Sequence, residues 1–426
     1  MAKQTYTITE YGSFARGKHL PNYVYLPEGV FDRLEQFVME NSEKGNEAID
    51  LMGISVRKNV GRVITAKNYV GVIALDDGNV IEILPKICGE ENESEVKKLL
   101  IKMLRTVQNS PFKSLQSTSV NVDKLPIFEI FIRMFLMEAF SVVKRGLKSG
   151  YETVEDNLSV CKGKIDFARQ IKHNLVHKER FCVRYDEFNQ NRPENKLIKS
   201  TLKYLFKYSG SSKNKADLKV LLNVFETIEE SCDYTADFAK CIDDRQAKHY
   251  HTILTWCKVF LQGKSFTSFA GSEVAYALLF PMETVFESYV AMQLKKQLNP
   301  AEYVVSSQHK GKYLFDIPQK FSLRPDIVIK KKSDDSIFIM DTKWKRLIDN
   351  PAANYGISQS DMYQMYAYQK KYGPTAKNVT LLYPLTEDSP KDEIKFISDD
   401  EVTVYVSFVD LRNIENLPNE LKHLFE

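Results

Sequence analysis

Two acidic residues and a lysine mark the ends of two apolar runs in the segment RPDIVIKKKSDDSIFIMDTKWKR, residues 324–346. Asp326 begins the first run, and Asp341 ends the second with Lys343 two residues later. Side chains alternate along a strand, so Asp341 and Lys343 would share one face with Thr342 on the other. The polar turn KKSDDS favours a hairpin, which would bring Asp326 close to Asp341.

Two carboxylates beside a lysine would repel each other unless a cation lay between them. Hard oxygen ligands suit Mg²⁺ or Mn²⁺, and such an ion polarises a phosphate and lowers the pKa of bound water. A neighbouring lysine can stabilise the developing negative charge. Residues 309–347 hold ten Lys/Arg against five Asp/Glu in a chain of net charge +3, as expected near a polyanion. The alternative is a solvated, charged hairpin without chemistry, because the spacing alone is common.

An upstream helix is predicted from about Met282 to Leu298, with Pro281 at its start. Glu283 and Glu287 lie one turn apart, and Glu287 falls on the apolar side of this helix. A carboxylate directed toward a core is costly unless something pairs with it. The alternatives are partial exposure of Glu287 or a bridge to a lysine.

A downstream helix is predicted for SQSDMYQMYAYQKKY, residues 358–372. Its spacing places Asp361, Gln364 and Tyr368 on a common face. Gln364 and Tyr368 could contact a nucleic-acid backbone or hold catalytic elements in register, although a tyrosine-rich helix also serves simply for packing.

The 426-residue chain is long enough for two or three domains. Strand-like runs dominate the first part, helical periodicity the middle, and a mixed pattern the last part. The predicted fold is therefore α+β and multidomain, with a β-rich N-terminal domain at residues 1–124, a helical middle domain at 125–275 and a C-terminal α/β domain at 276–426.

The six cysteines form no CxxC pair and no metal-ligand spacing, which favours free thiols in a reducing compartment. The N-terminus lacks the apolar core of a signal peptide, and no run of 18 apolar residues could span a bilayer. These features predict a soluble, cytoplasmic protein without a membrane partner.

The helix-borne glutamate, PD, DxK and QxxxY together resemble the PD-(D/E)XK nuclease core, and Gln364 to Tyr368 is similar to its RecB-type branch. Longer phrases resemble the McrC family, the nuclease subunits of the modification-dependent McrBC restriction systems. These phrases are NYVGVIAL, IEILPKI, GKIDFARQI, PENKLIKSTL, LLFPMETVFESYVA, RPDIVI and MDTKWK, and they extend from residue 68 to residue 345.

The resemblance implies a restriction-endonuclease-like core in residues 276–426 and assigns roles to the matching positions. Asp326 and Asp341 would bind Mg²⁺ or Mn²⁺, with the Thr342 carbonyl as a further candidate ligand. Lys343 would be the catalytic lysine. The acid that completes the metal site would be Glu287, with Glu283 as the less favoured choice, and Gln364 and Tyr368 would support the site or touch DNA.

The resemblance also implies a partner, an McrB-like AAA+ GTPase hexamer that reads methylated double-stranded DNA. The N-terminal domain would dock on that ring and stimulate its GTPase, and the basic turn RKNVGR offers Arg57, Lys58 and Arg62 as candidate contacts. We expect GTP on the partner and no nucleotide on this chain, because the segment ending Gly263-Lys264-Ser265 lacks the first glycine of a phosphate loop. Cleavage of both strands usually needs two nuclease centres, so two copies are expected to pair.

Two other functions remain open at this stage. One is a self-sufficient RecB-like repair nuclease, and the other is a catalytically silent adaptor of an AAA+ motor. The intact set of Asp326, Asp341 and Lys343 argues against the silent adaptor.

Overall fold

The computed structural model describes residues 4–43, 51–86, 93–107, 125–241, 249–262, 275–421 and 424. The chain divides into two compact units, of which the first joins Met1–Ile127 to Ser265–Glu426 and the second is Phe128–Lys264. The mixed α/β content is as predicted. The first and last predicted domains, however, lie within one compact unit. Cys88 and the Gly263-Lys264-Ser265 motif fall outside the described residues.

Two four-stranded sheets form the N-terminal part of the first unit. One has the order β3-β2-β5-β4 and the other the order β1-β7-β6-β11. Helix α1 packs against the first of them, and α2 follows the second in sequence. Their bounds are β1 Thr5–Thr9, β2 Ser13–Arg16, β3 Val24–Leu26, α1 Glu28–Glu43, β4 Met52–Arg57, β5 Gly61–Ala66, β6 Tyr69–Leu75, β7 Val80–Leu84, α2 Glu93–Leu104 and β11 Ala275–Pro281.

Strand β6 is the apolar centre of its sheet. All seven residues of YVGVIAL are buried, which is typical of a strand covered on both faces. Strand β11 arrives from about 200 residues later in the chain and pairs antiparallel with it, Leu279 opposite Gly71. Gly71 has φ of +135°, and a Cβ there would lie 2.0 Å from the Leu278 carbonyl oxygen. Only glycine therefore allows the two strands to approach this closely.

A six-stranded mixed sheet with the order β12-β15-β16-β17-β19-β18 forms the C-terminal part of the same unit. Helix α9 packs against β12 and β16, and α10 packs against β17 and β19. A separate two-stranded hairpin, β13-β14, interrupts the chain between β12 and β15. The bounds are α9 Met282–Gln297, β12 Tyr303–Ser307, β13 Lys312–Asp316, β14 Gln319–Leu323, β15 Ile327–Lys331, β16 Ile337–Thr342, α10 Gln359–Tyr372, β17 Ala376–Pro384, β18 Ile394–Ile397, β19 Thr403–Val409 and α11 Leu417–Glu420.

The second unit is mostly helical, as expected of the predicted helical middle domain, but it also contains an antiparallel sheet of order β8-β10-β9 that the helical periodicity did not predict. The residues of β8 are all exposed or half-buried. A strand that is solvated on both faces lacks the alternation of apolar and polar residues by which strands are recognised. The bounds are α3 Ile127–Arg145, β8 Gly150–Leu158, β9 Lys164–Ile165, α4 Phe167–His173, β10 Phe181–Asn189, α5 Pro193–Tyr208, α6 Ser212–Val224, α7 Tyr234–Lys240 and α8 Tyr250–Gln262.

A buried carboxylate organises one corner of this second unit. Glu129 on α3 accepts hydrogen bonds from the Ser209 hydroxyl at 2.9 Å, the Ser211 amide at 3.1 Å and the Asn214 side-chain amide at 2.7 Å. The Gly210 amide also donates to it. The charge of Glu129 is thus surrounded by fixed donors from the α5–α6 turn and the start of α6.

Within the described residues, no helix is long and apolar enough to cross a membrane.

Candidate active site

The β15–β16 hairpin is confirmed, with Ile327 opposite Met340. One further step in this register places Asp326 beside Asp341, as predicted. The Oδ2 atom of Asp326 accepts hydrogen bonds from the Thr342 amide at 2.8 Å and from the Thr342 hydroxyl at 2.7 Å. Strand alternation had placed the Thr342 side chain away from the acidic pair. The Thr342 side chain nevertheless reaches Asp326. Asp326 lies just before β15, so its side chain does not follow the strand's alternation between the two faces of the sheet.

Asp341 is 1% exposed and lies between a lysine and an amide. Its Oδ2 atom is 2.7 Å from the Lys343 ammonium, and its Oδ1 atom accepts a 3.3 Å hydrogen bond from Gln364. Lys343 also donates to the Gln364 oxygen at 3.2 Å and lies 3.4 Å from Asp361. Asp341, Lys343 and Gln364 therefore form a closed triangle of polar contacts.

Helix α10 supplies the third corner of that triangle. The Ser358 hydroxyl accepts from the Asp361 amide and so caps the helix start. From this start the 3.6-residue period brings Asp361, Gln364 and Tyr368 to the same side, as predicted. The Gln364 amide donates to the Tyr368 hydroxyl at 2.6 Å, and the Tyr368 ring is buried in the core between α10 and the sheet. The buried Tyr368 thus holds the Gln364 side chain in its position beside Asp341 and Lys343.

Helix α9 begins at Met282 with Pro281 at its N-cap, also as predicted. Glu287 is half-buried and lines the same cavity as the two aspartates, of about 830 Å³. Glu283 lines the cavity too, but it is exposed and accepts a hydrogen bond from Asn68 at 3.1 Å. The structure therefore brings Glu287 deeper into the acidic cluster than Glu283.

The electrostatics of the cavity are those of a crowded acidic site. Burial, followed by the charge of Asp326, raises the pKa of Asp341 to about 6 and that of Glu287 to about 7. Burial also raises the pKa of Asp326, although Thr342 hydrogen bonds oppose it. Burial alone would lower the pKa of Lys343, but the carboxylates around it raise it. Without a cation the cluster holds more negative charge than its burial favours.

The donor set fits a hard divalent ion in an open site. Across the described part of the chain, no three or more His, Cys, Asp or Glu side chains converge closely enough to hold an ion by themselves. Mg²⁺ commonly binds through one or two carboxylates and keeps several waters, so Asp326 and Asp341 suffice for such a site. The charges of Asp326 and Asp341 help to raise the pKa of Glu287, so this third carboxyl group lies near the pair without closing the site. The Thr342 carbonyl remains a predicted ligand.

The N-terminal segment adds a wall that sequence reasoning missed. Glu10 is fully buried, and its carboxylate accepts hydrogen bonds from the Trp344 indole at 3.0 and 3.2 Å and from the Lys86 amide at 3.2 Å. Trp344 directly follows Lys343, and its ring centroid lies 5.2 Å from that of Phe286 on α9. Burial raises the pKa of Glu10 to about 7. No local pattern in TITEYG points to this role; the signal was the tryptophan in MDTKWK.

Basic side chains also line the cavity. Lys86, Lys345 and Arg346 line it together with Lys343, and the Arg346 guanidinium donates to the Lys86 carbonyl. A cavity lined by both acids and cations suits a phosphodiester whose charge must be held beside a metal.

The basic N-terminal turn forms the tip of the β4–β5 hairpin. Arg57, Lys58 and Arg62 are exposed. The Arg57 guanidinium donates to the Tyr23 hydroxyl at 3.3 Å, and Arg62 lies 3.1 Å from Glu35. Two of the three cations thus have contacts within the unit, and their part in partner binding remains a prediction.

A family model described as McrBC 5-methylcytosine restriction system component matches residues 64–384. No curated protein matches the chain. Among solved structures, a chain of the half-complex from a tetradecameric assembly of Thermococcus gammatolerans McrB AAA+ hexamers with bound McrC shares 20% identity, covers 99% of this chain and 100% of its own, and has a TM-score of 0.68. A chain of the Thermococcus gammatolerans McrBC complex shares 20% identity over 69% of this chain and 88% of its own, with a TM-score of 0.49.

The first of these likenesses establishes a common fold over nearly the whole chain. From the match over residues 64–384, the chain belongs to the family of McrBC 5-methylcytosine restriction system components.

Proposed function

We propose that this chain is the Mg²⁺-dependent DNA endonuclease subunit of a 5-methylcytosine-dependent restriction system, with a PD-(D/E)XK nuclease core. The observation that carries the proposal is the triangle of Asp341, Lys343 and Gln364 beside Asp326, at the end of a β-hairpin in a basic-walled cavity. Raised carboxyl pKa values in a cleft support it further, because functional sites concentrate such groups.

The residues of the site divide the work of phosphodiester hydrolysis. Asp326 and Asp341, with Glu287 near them, would hold Mg²⁺ or Mn²⁺, and the bound ion would polarise the scissile phosphate and activate a water. Thr342 fixes the orientation of Asp326 through two hydrogen bonds. Lys343 presents its ammonium to the negative charge that develops on phosphate oxygens. Gln364 holds both Asp341 and Lys343, and Tyr368 holds Gln364.

The proposed partner is an McrB-like AAA+ GTPase hexamer. The relative of similar fold was solved with McrB AAA+ hexamers, and the β4–β5 hairpin offers an exposed basic tip on the N-terminal part of the first unit. In this proposal GTP binds the partner, the partner selects methylated double-stranded DNA, and contact with this chain stimulates GTP hydrolysis. Two copies of the chain would meet to cut both strands.

The test is a plasmid cleavage assay with Mg²⁺, on methylated and unmethylated DNA, with the chain alone and with its AAA+ partner plus GTP. Cutting is expected only with partner, GTP and methylation together, and EDTA should abolish it. The Asp341→Asn variant should cut at least about 100-fold more slowly, because loss of one metal ligand removes several kcal/mol of transition-state stabilisation.

Asp335→Asn is the matched control, because Asp335 is an exposed acid in the turn of the same hairpin and pairs with Lys330 at 2.6 Å. It should cut within about twofold of wild type, since surface ion pairs contribute little. Cutting by the chain alone, regardless of methylation, would identify a RecB-like repair nuclease. GTPase stimulation without any cutting would identify a silent adaptor. Wild-type rates for Asp341→Asn would overturn the site assignment.

A further inference from the structure

The β13–β14 hairpin starts and ends at the candidate active site. The Gln308 amide, just before the hairpin, donates to the Asp326 carbonyl at 2.8 Å. The Gln308 side chain also hydrogen-bonds to Glu287. After β14 the chain returns through Arg324 and Pro325 directly to Asp326. Both ends of the hairpin are therefore attached to the group of acids formed by Asp326, Asp341 and Glu287.

Helix α10 supports the hairpin from the side. The His309 ring lies 2.8 Å from the Tyr372 hydroxyl, and Lys371 lies 2.8 Å from Asp316. The same helix carries Gln364 toward the site. A displacement of the hairpin would thus be transmitted to α10, the helix whose Gln364 contacts the proposed catalytic lysine.

The surface of the hairpin combines apolar and basic side chains. Phe315 is 56% exposed, Phe321 71% and Ile317, at the turn, 96%. The rings of Phe315 and Phe321 meet edge to face with centroids 5.9 Å apart. The segment from Gln308 to Arg324 carries four basic residues, and its one acidic residue is Asp316, which pairs with Lys371. The basic residues are Lys310, Lys312, Lys320 and Arg324.

The backbone at Phe321 is strained to hold this arrangement. Its φ is +58°, in the left-handed region that favours glycine. The cost for a residue with a side chain is about 1–2 kcal/mol. The antiparallel register is constant from Tyr313 opposite Ser322 to Phe315 opposite Lys320, and the position of Phe321 between them is left without a ladder partner. Burial does not offset this cost, because the ring remains mostly in water. Strain that stability does not explain points to a function for the exposed ring.

We propose that the β13–β14 hairpin inserts into the minor groove of duplex DNA and wedges Phe315, Phe321 and Ile317 against a base step beside the scissile phosphate. The inference rests on the proposed nuclease function. Proteins that bend DNA use apolar wedges flanked by cations in this way. The strands of five residues span about 17 Å, more than the depth of a minor groove of about 7.5 Å.

Charge and position select DNA as the occupant. A phosphodiester in the cavity beside Lys343 brings the duplex to the ends of the hairpin, where Lys310, Lys312 and Arg324 are exposed. Cations beside a polyanion contribute sequence-independent affinity. The wedge itself carries no base-specific groups, which suits a cutting subunit whose partner would choose the site.

The experiment measures DNA distortion in EDTA, where nothing is cut. A duplex of about 30 base pairs carries a donor and an acceptor dye at its ends, and the full chain is added alone and with its AAA+ partner and GTP. Wild type should raise the energy transfer by bending the DNA. Phe315→Ala/Phe321→Ala should bind within about threefold of wild type, because phosphate contacts dominate affinity, but it should lose the energy-transfer change and cut at least tenfold more slowly.

A second pair of variants separates charge from wedge. Lys312→Ala/Lys320→Ala should weaken binding and reduce the salt dependence of log K by about two, since each phosphate contact contributes about 0.9 to the slope. Ile397→Ala is the apolar control, because Ile397 is an exposed residue on β18 at the opposite edge of the six-stranded sheet. It should bind, bend and cut like wild type.

Phe321→Gly tests whether the strain is functional. Glycine tolerates the positive φ, so this variant should unfold at a higher temperature than wild type while bending DNA less. Wild-type bending by the double phenylalanine variant would overturn the wedge. Loss of partner binding or of self-association in that variant, with DNA bending unchanged, would make the hairpin a protein interface instead.

The wedge and the nuclease can fail separately. Bending without metal-dependent cutting would leave the wedge in place and reject the proposed nuclease, and Asp341→Asn should bend DNA like wild type. Cutting without bending would reject the wedge alone.

Discussion

Glu129 in the second unit and Asp341 in the first are buried to a similar degree, 5% and 1% exposed, yet their surroundings handle the charge in opposite ways. Glu129 is enclosed by fixed donors from one turn and one helix start. Asp341 has one lysine and one glutamine, and it shares its cavity with further acids that raise its pKa. Burial alone therefore does not distinguish an enclosed carboxylate such as Glu129 from a candidate metal ligand such as Asp341. The balance of donors against neighbouring acids does.

The largest effect that would sharpen this contrast is expected from Glu129→Ala. Removing the acceptor leaves several buried donors unsatisfied, so the free energy of unfolding of the second unit should fall by about 3 kcal/mol. The chain has two tryptophans, and Trp256 lies in this unit, so its fluorescence during urea unfolding in a Trp344→Phe background measures the change.

Glu226→Ala is a suitable control for that experiment, because Glu226 is an exposed acid in the same unit. It should change the free energy of unfolding by less than about 0.5 kcal/mol. A loss below about 1 kcal/mol in Glu129→Ala would mean that the donors around Glu129 find water or other partners, and the comparison would fail.

An intermediate effect is expected from pH in the metal-free protein. The folded-state pKa values of Asp341, about 6, and Glu287, about 7, lie above those of ordinary carboxyl groups. Their contribution to stability is therefore fully present below the unfolded pKa near 4 and is lost as the pH rises through 6 and 7. The first unit should lose on the order of 2 kcal/mol between pH 5 and pH 8.

Trp344 fluorescence in a Trp256→Phe background reports this unit during unfolding at each pH. Mg²⁺ should restore stability more at pH 8 than at pH 5, because it binds the ionised carboxylates. Asp341→Asn should show a flatter pH profile than its parent and no loss of metal-free stability at pH 8. Two results would show that repulsion among these acids does not destabilise the fold. One is a wild-type free energy of unfolding that rises with pH, and the other is an unchanged slope in Asp341→Asn.

The smallest effect concerns Glu10, a third buried carboxylate that combines both characters. It accepts hydrogen bonds like Glu129 but also has a raised pKa like Asp341. Glu10→Gln keeps the shape and weakens the hold on Trp344, so cleavage should fall about tenfold, as for other residues that position a metal site.

This loss should appear in kcat with DNA affinity unchanged, and the emission of Trp344 should shift. Glu28→Gln, an exposed acid of the same N-terminal segment, is the control and should behave like wild type. A normal kcat together with a shifted emission would restrict Glu10 to packing.

Local periodicity explains which parts of the site could be predicted. The hairpin of Asp326 and Asp341 follows from two strand runs joined by a polar turn, and the face of Gln364 and Tyr368 follows from helical spacing. Both signals operate within about 20 residues. The roles of these residues in catalysis, and the partner and the metal, come from resemblance to a family and remain proposals.

The features that escaped prediction depend on long-range contacts. Glu10 meets Trp344 across more than 330 residues, and no short pattern encodes that meeting. The sheet of the second unit escaped because its strand β8 has no buried face. The first unit is built from two chain segments that meet where β11 pairs with β6. Neither strand contains a local pattern that predicts this pairing.

The pairing of β6 with β11 sets an order for folding during synthesis. Strand β6 is wholly apolar, and its neighbour on one side emerges about 200 residues later. At 5–20 residues per second this delay is about 10–40 s. Throughout that interval the nascent chain carries an open, hydrophobic strand edge of the kind that promotes aggregation. Ribosome-associated chaperones are therefore expected to protect this edge, and fragments that stop before residue 275 should be recovered mainly as insoluble material.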